Sequence, residues 1–228
     1  MSVLNIGYGR ADITPRESVP LRGYGSTSNR MSQRVLDPLM ATCLAVTDEH
    51  GESVLLFALD LTGASEYWVP RFAPAISKAT GVPCFRIFGS GSHTHSAPDY
   101  SNKEKDSIPR YLDLLEERLV AAAMAAMADR TPVQIFAARA ETTALNFVRR
   151  YILEDGTPAG DNYGNFSDAP ITEHESEVDN QLQLIKFSRE EGKDIIMAAG
   201  LPEVGLGGAV MDRMRKAAED RIVDLDRA

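Results

Sequence analysis

The chain has 228 residues, 43% of them hydrophobic, with a formal charge of -9 and an isoelectric point near 5.0. That length and apolar content suffice for one large domain or two small ones. The acidic balance argues against a nucleic-acid partner, whose phosphates require Lys and Arg surfaces, and against electrostatic attachment to anionic membranes.

Residues 4–13 read as a first strand, after which Pro15, Pro20, Gly23 and Gly25 with the polar run 26–29 predict a long loop of the kind that often serves function. Residues 39–47 and 53–61 are apolar runs joined by Asp48-Glu49-His50-Gly51, which predicts a hairpin with His50 at its exposed tip. Because both arms are almost wholly apolar, burial on both faces is expected, with layers above and below. Residues 66–80 predict a helix despite Pro70 and Pro74, stopped by Gly81, and 84–88 a strand, giving a strand, helix, strand crossover. The clearest helix is 108–129, with Pro109 in its first turn and Leu112, Leu115, Leu119, Ala122 and Ala126 at helical spacing.

Further strands are expected at 133–140, 182–187 and 194–198, with a polar turn at 188–193. Residues 151–177 are polar and rich in Gly, Asn and Asp, and read as loop. In 209–226, Met211, Met214, Ala218, Ile222 and Leu225 form the stripe of a helix. The mixture predicts an α/β fold, a mixed β-sheet sandwich flanked by helices. No integral membrane segment and no signal peptide is read, so a cytoplasmic protein is expected. Cys43 and Cys84 lack Cys-x-x-Cys spacing and are expected as small buried thiols inside strands.

The segment from Phe88 to Asp99, Phe-Gly-Ser-Gly-Ser-His-Thr-His-Ser-Ala-Pro-Asp, holds two of the four histidines. If the preceding strand continues through it, alternate residues share a face and His93 and His95 present their imidazoles together. Imidazole is a common zinc ligand, and a catalytic zinc takes three protein ligands with one open position, so the pair is part of a site. The bland alternative is a capping His and a solvated one. Gly205-Leu206-Gly207-Gly208 lacks the third glycine of a dinucleotide fingerprint, and Gly89-Ser90-Gly91 is not a nucleophile elbow.

Four segments in this order and spacing carry a resemblance: Gly7-Tyr8-Gly9-Arg10-Ala11-Asp12-Ile13-Thr14-Pro15, Gly23-Tyr24-Gly25, the arm ending Ala58-Leu59-Asp60, and Ser92-His93-Thr94-His95-Ser96-Ala97-Pro98. Together they resemble the N-terminal domain of the neutral/alkaline non-lysosomal ceramidases, over residues 4–197, with 146–151 and 177–187 adding to the likeness. The resemblance implies a zinc-dependent amidohydrolase that cleaves N-acylsphingosine, or a related small-molecule N-acyl lipid, into base and fatty acid. It implies that His93 is a zinc ligand. His95 lies in the same site, as a second ligand or as a group that binds substrate or shuttles a proton. It implies, too, that Arg149 or Arg150 is the residue that contacts the reacting centre. Such a zinc lowers the pKa of its water to about 7 and stabilises the oxyanion, to which an Arg adds hydrogen bonds.

Asp12 is expected to cap a loop, Asp60 to cap or to orient a ligand His, and His174 to be exposed or a further ligand. Family members, often secreted, place a second zinc His after the strand matching 194–198, and Glu and Tyr ligands farther on. Here no His follows His174. The expectation is an incomplete ceramidase-like domain at 1–198 with a divergent helical tail at 199–228 suited to homo-oligomer contacts. A catalytically inactive member, or a binding or self-association domain, is the alternative.

Overall fold

Short apolar runs bounded by Gly, Pro and Asp build this fold by pairing their backbones. The computed structural model describes residues 4–23, 30–64, 66–102, 105–141, 148, 150–159 and 170–199, with 196–199 described by backbone alone. The chain forms two compact units, Met1–Ile135 with Phe187–Ile195, and Phe136–Lys186 with Ile196–Ala228. The expected helix at 209–226 lies outside the described residues.

In the first unit, β1 (Asn5–Asp12) runs antiparallel to β2 (Met40–Thr47), and β2 antiparallel to β3 (Ser53–Leu59). The hairpin turn is the one its residues predict. Asp48 Oδ1 accepts the N–H groups of His50 (2.9 Å) and Glu52 (2.8 Å), and Gly51 takes φ +82°. His50 stands at the tip with its side chain 78% exposed.

The crossover after β3 differs from an unbroken helix. Trp68–Phe72 forms a wide turn in which Tyr67 O accepts from both Arg71 N (3.0 Å) and Phe72 N (3.1 Å), and α1 (Ala73–Thr80) follows. Pro70 lies in the first turn of this segment and Pro74 in the first turn of α1, positions where a missing N–H leaves no bond unmade. Gly81, at φ +77°, ends α1 in the left-handed conformation. Cys84–Arg86 is a 3-10 turn, so the strand starts later than expected, as β4 (Ile87–Gly91), parallel to β3. The expectation of two buried thiols fails for this reason: Cys43 is buried within β2, but Cys84 lies in the turn and is exposed.

Helix α2 (Ser107–Ala128) buries Leu115, Leu119, Ala122 and Ala126 against the sheet, and the start of β5 (Thr131–Glu141) pairs with β1. The strand order here is β5-β1-β2-β3-β4. Gly7 and Gly9 explain how closely α2 lies on β1. A Cβ at either position would collide with a carbonyl oxygen of the helix, that of Ala126 or Ala122. On this face Ala41, Cys43 and Ala45 of β2 and Leu55, Phe57 and Leu59 of β3 are buried with Trp68, whose ring meets Phe57 edge-on at 5.4 Å.

The expectation that both faces of the hairpin are buried is corrected. The side chains alternate, and on the face away from the helices burial is partial: Leu44 is buried, Val54 and Leu56 are half-buried and Ala58 is exposed. The strands are apolar on both faces, but among the described residues α1 and α2 cover only one.

In the second unit, 151–177 is not simply a loop. It contains β6 (Tyr151–Leu153), β7 (Pro158–Ala159) and β8 (Ile171–His174), in the order β7-β6-β8. The missed signal is the turn Glu154-Asp155-Gly156-Thr157. Asp155 Oδ1 accepts Thr157 N (2.9 Å), Gly156 takes φ +80°, and Leu153 N donates to Thr157 O (3.0 Å). β9 (Gln181–Arg189) and β10 (Ile195–Ala199) complete the elements, with order β10-β9-β5 and a small core in which Leu182 and Leu184 meet Ala138 and Ala140. Among the described residues no helix is long and apolar enough to cross a membrane.

Candidate metal and catalytic site

The carboxyl ends of two adjacent parallel strands carry the histidine pair, the place where open α/β sheets commonly gather functional groups. Pairing continues past β3 and β4: Ser92 N donates to Leu59 O (2.8 Å) and His93 N to Leu61 O (3.0 Å). The two loops approach so closely at Gly63 and Gly91 that a Cβ on Gly91 would stand 2.5 Å from Gly63 Cα.

The strand does not continue through the histidines, and this corrects the expected alternation. β4 stops at Gly91, and His93 adopts φ +58°, the left-handed conformation that costs a non-glycine residue of order 1–3 kcal/mol and tends to occur at functional sites. The rings of His93 and His95 nevertheless meet, with centroids 4.9 Å apart and planes inclined by 56°. A bend in the backbone brings them together where strand periodicity does not.

His93 Nδ1 lies 2.7 Å from Thr62 O. A carbonyl can only accept, so Nδ1 carries the proton, and a neutral ring then keeps its lone pair on Nε2, the form in which imidazole ligates a metal. Beneath this loop Tyr100, 2% exposed, donates its hydroxyl to Gly63 O (2.6 Å), with the Arg22 guanidinium 5.5 Å from its ring centroid. Burial pushes the Tyr100 phenol up, so its proton stays in the hydrogen bond.

Asp12 caps its loop, as expected: its Oδ1 accepts Thr14 N (2.8 Å), and hydrogen bonds from Thr14 lower its carboxyl below the usual range. Asp60 is also a cap, its Oδ2 accepting Met40 N (2.9 Å) while its own N–H donates to Met40 O (2.9 Å). With Tyr8, Arg10, Thr42, Ser90 and Ser92 it lines a concavity of about 410 Å³ on the open face of the sheet. Arg149 lies outside the described residues. Arg150, in the second unit, pairs with Glu175 at 2.9 Å. His174, in the same unit, is exposed, with Nδ1 2.7 Å from Val148 O and its ring 4.9 Å from that of Tyr151.

Zinc needs three protein donors, and the pair supplies two. Among the described residues no group of three or more His, Cys, Asp or Glu side chains stands close enough to hold a metal ion. The donors present suit zinc in type, and His93 in tautomer, but do not complete its set. Sequence reasoning missed Thr62, Gly63 and Tyr100; the cue for the first two was their position directly after a buried strand parallel to the one that feeds the histidines.

No protein-family model and no curated protein matches the sequence. Solved structures do match the fold, which is that of part of a neutral ceramidase. A ceramidase complexed with C2 superposes with a TM-score of 0.63 at 17% identity over 87% of this chain. The neutral ceramidase from Pseudomonas aeruginosa gives a TM-score of 0.62 at 18% identity over 85%. The chain spans only 31% of the length of each. At such identities the likeness establishes the fold, and chemistry has to be argued from the site.

Proposed function

We propose that this chain is the histidine-bearing part of a zinc-dependent amidohydrolase that cleaves the amide of N-acylsphingosine or a related N-acyl lipid. The observation that carries the reading is the His93–Thr62 hydrogen bond, which leaves the Nε2 lone pair of His93 unprotonated in a neutral ring whose centroid lies 4.9 Å from that of His95 at a strand end. In this reading His93 and His95 are metal ligands, and His95 is also placed to exchange a proton with substrate. By the resemblance, Arg149 or Arg150 is the candidate for the reacting carbonyl oxygen. Zinc, when bound, supplies Lewis-acid polarisation of the amide carbonyl.

The test is release of fluorophore from a fluorogenic N-acylsphingosine. Turnover that chelation removes, zinc restores and His93→Ala lowers at least a hundredfold supports the reading; no turnover with zinc present counts against it. A second reading, a catalytically incomplete domain that needs a partner, is favoured by the two-donor set and by the one-third span of the ceramidase chains. Metal analysis separates the two: less than a tenth of a zinc per chain after dialysis against micromolar zinc favours the incomplete domain.

A further inference from the structure

The two histidines are held by two different devices, and the one that holds His95 involves a residue outside the motif. Residues 19–22 form the middle of a small ribbon. On one side Leu21 N donates to Arg30 O (2.8 Å) and Ser32 N to Val19 O (2.8 Å); on the other Arg22 N donates to Ala97 O (2.9 Å) and Asp99 N to Pro20 O (2.7 Å). The ribbon binds the chain just after His95 but leaves the residue itself at its open end. Arg30 closes that end: its Nη2 donates to Arg22 O (2.9 Å) and to His95 O (2.5 Å).

Gly23 adds the second contact. It adopts φ +96°, and a Cβ built on it would sit 2.6 Å from both Cβ and Nδ1 of His95, so its bare backbone forms the wall against which the His95 side chain rests. The His93 ring, in contrast, is fixed by Thr62 O from the loop after β3.

We propose that Arg30 is a positioning residue for His95, clamping its carbonyl so that Gly23 sets the ring at its 4.9 Å separation from His93. Charge-assisted bonds from a planar guanidinium are stronger and more directional than neutral ones, which suits a clamp bridging two carbonyls. The significance of the clamp for catalysis rests on the zinc hydrolase reading; the clamp itself does not.

The experiment observes the imidazole nitrogens of the four histidines by long-range proton–nitrogen NMR in metal-free protein, with the His95 signals assigned from a His95→Gln variant. In Arg30→Met the His95 resonances move or broaden most, with a smaller shift at the adjoining His93 and none at His50 or His174, and Arg30→Lys recovers part of the wild-type His95 pattern. A general structural role predicts equal disturbance of His93 and His95 and no recovery with Lys. Should Arg30→Met fail to fold, Gly23→Ala decides, since its methyl group must displace the same ring. Unmoved His95 signals in a folded Arg30→Met or in Gly23→Ala overturn the proposal. Because no metal is present, wild-type protein that binds no zinc and turns over no substrate defeats the hydrolase reading without touching this result.

Discussion

His93 occupies a backbone conformation that most residues avoid, and one hydrogen bond to Thr62 O compensates for it. Glycine at this position relieves strain of about 1 kcal/mol or more and forfeits a hydrogen bond worth about 1 kcal/mol. His93→Gly is therefore expected to unfold within about 1 kcal/mol of wild type in urea while losing its zinc affinity. A histidine kept for stability alone would not separate the two measurements in this way. The cysteines divide just as clearly. Burial in β2 pushes the Cys43 thiol up to about 12, whereas Cys84 is exposed. A thiol reagent at pH 8 is expected to modify Cys84 rapidly and Cys43 only after denaturation, and two equally fast thiols would contradict the placement. At this scale the histidine pair was legible from its spacing and setting. The left-handed turn that joins the rings was not, because nothing in Ser92-His93-Thr94 signals positive φ.

The closest fit between elements is α2 on β1, set by Gly7 and Gly9 against the carbonyls of Ala126 and Ala122. Adding a methyl group at Gly9 forces the helix away from the sheet, and overpacking of a tight contact costs about 1–3 kcal/mol, occasionally more. Gly9→Ala is expected to lower the urea midpoint accordingly, and an unchanged midpoint would mean that α2 shifts without cost. Elements whose apolar periodicity is strong and whose ends carry Gly or Pro were legible: β1, the β2–β3 hairpin and α2. The wide turn at Trp68–Phe72 was hidden because two prolines inside a helical pattern admit several solutions. The strands β6 to β8 are short and polar, so only their turn chemistry marked them. The two-faced apolar hairpin led to an expectation of layers on both sides, since composition shows what a face tolerates and not what covers it.

Across the first unit, one ion pair ties helix, sheet and the later strand together. Asp129, just past α2, accepts Tyr8 N (2.8 Å) and is held by Arg189 Nη2 (2.5 Å), which also reaches Ile6 O (3.3 Å). The hydrogen bond from Arg189 and that from Tyr8 keep the Asp129 carboxyl below its usual range. A carboxyl lowered in the folded state adds stability that is complete above its unfolded pKa, near 3.9, and is lost as the pH falls through the lower folded value. Asp129→Asn is thus expected to cost stability at pH 7, with a difference from wild type that shrinks below about pH 4; a pH-independent difference in urea unfolding would contradict the linkage. At this scale, sequence order alone carried the likeness to part of a ceramidase, and the superposition bears it out as a fold. A third donor beside the two histidines is neither legible in the sequence nor found among the described residues.

In the proposed function, His93 and His95 together bind a metal. The most direct measurement is a cobalt titration of the zinc-free chain, with the ring nitrogens of all four histidines followed by NMR. Saturation near one equivalent is expected, with paramagnetic loss of the His93 and His95 signals before those of His50 and His174, and no such order in His93→Ala. Signal loss that begins at His50 or His174, or that is unchanged in His93→Ala, would contradict it.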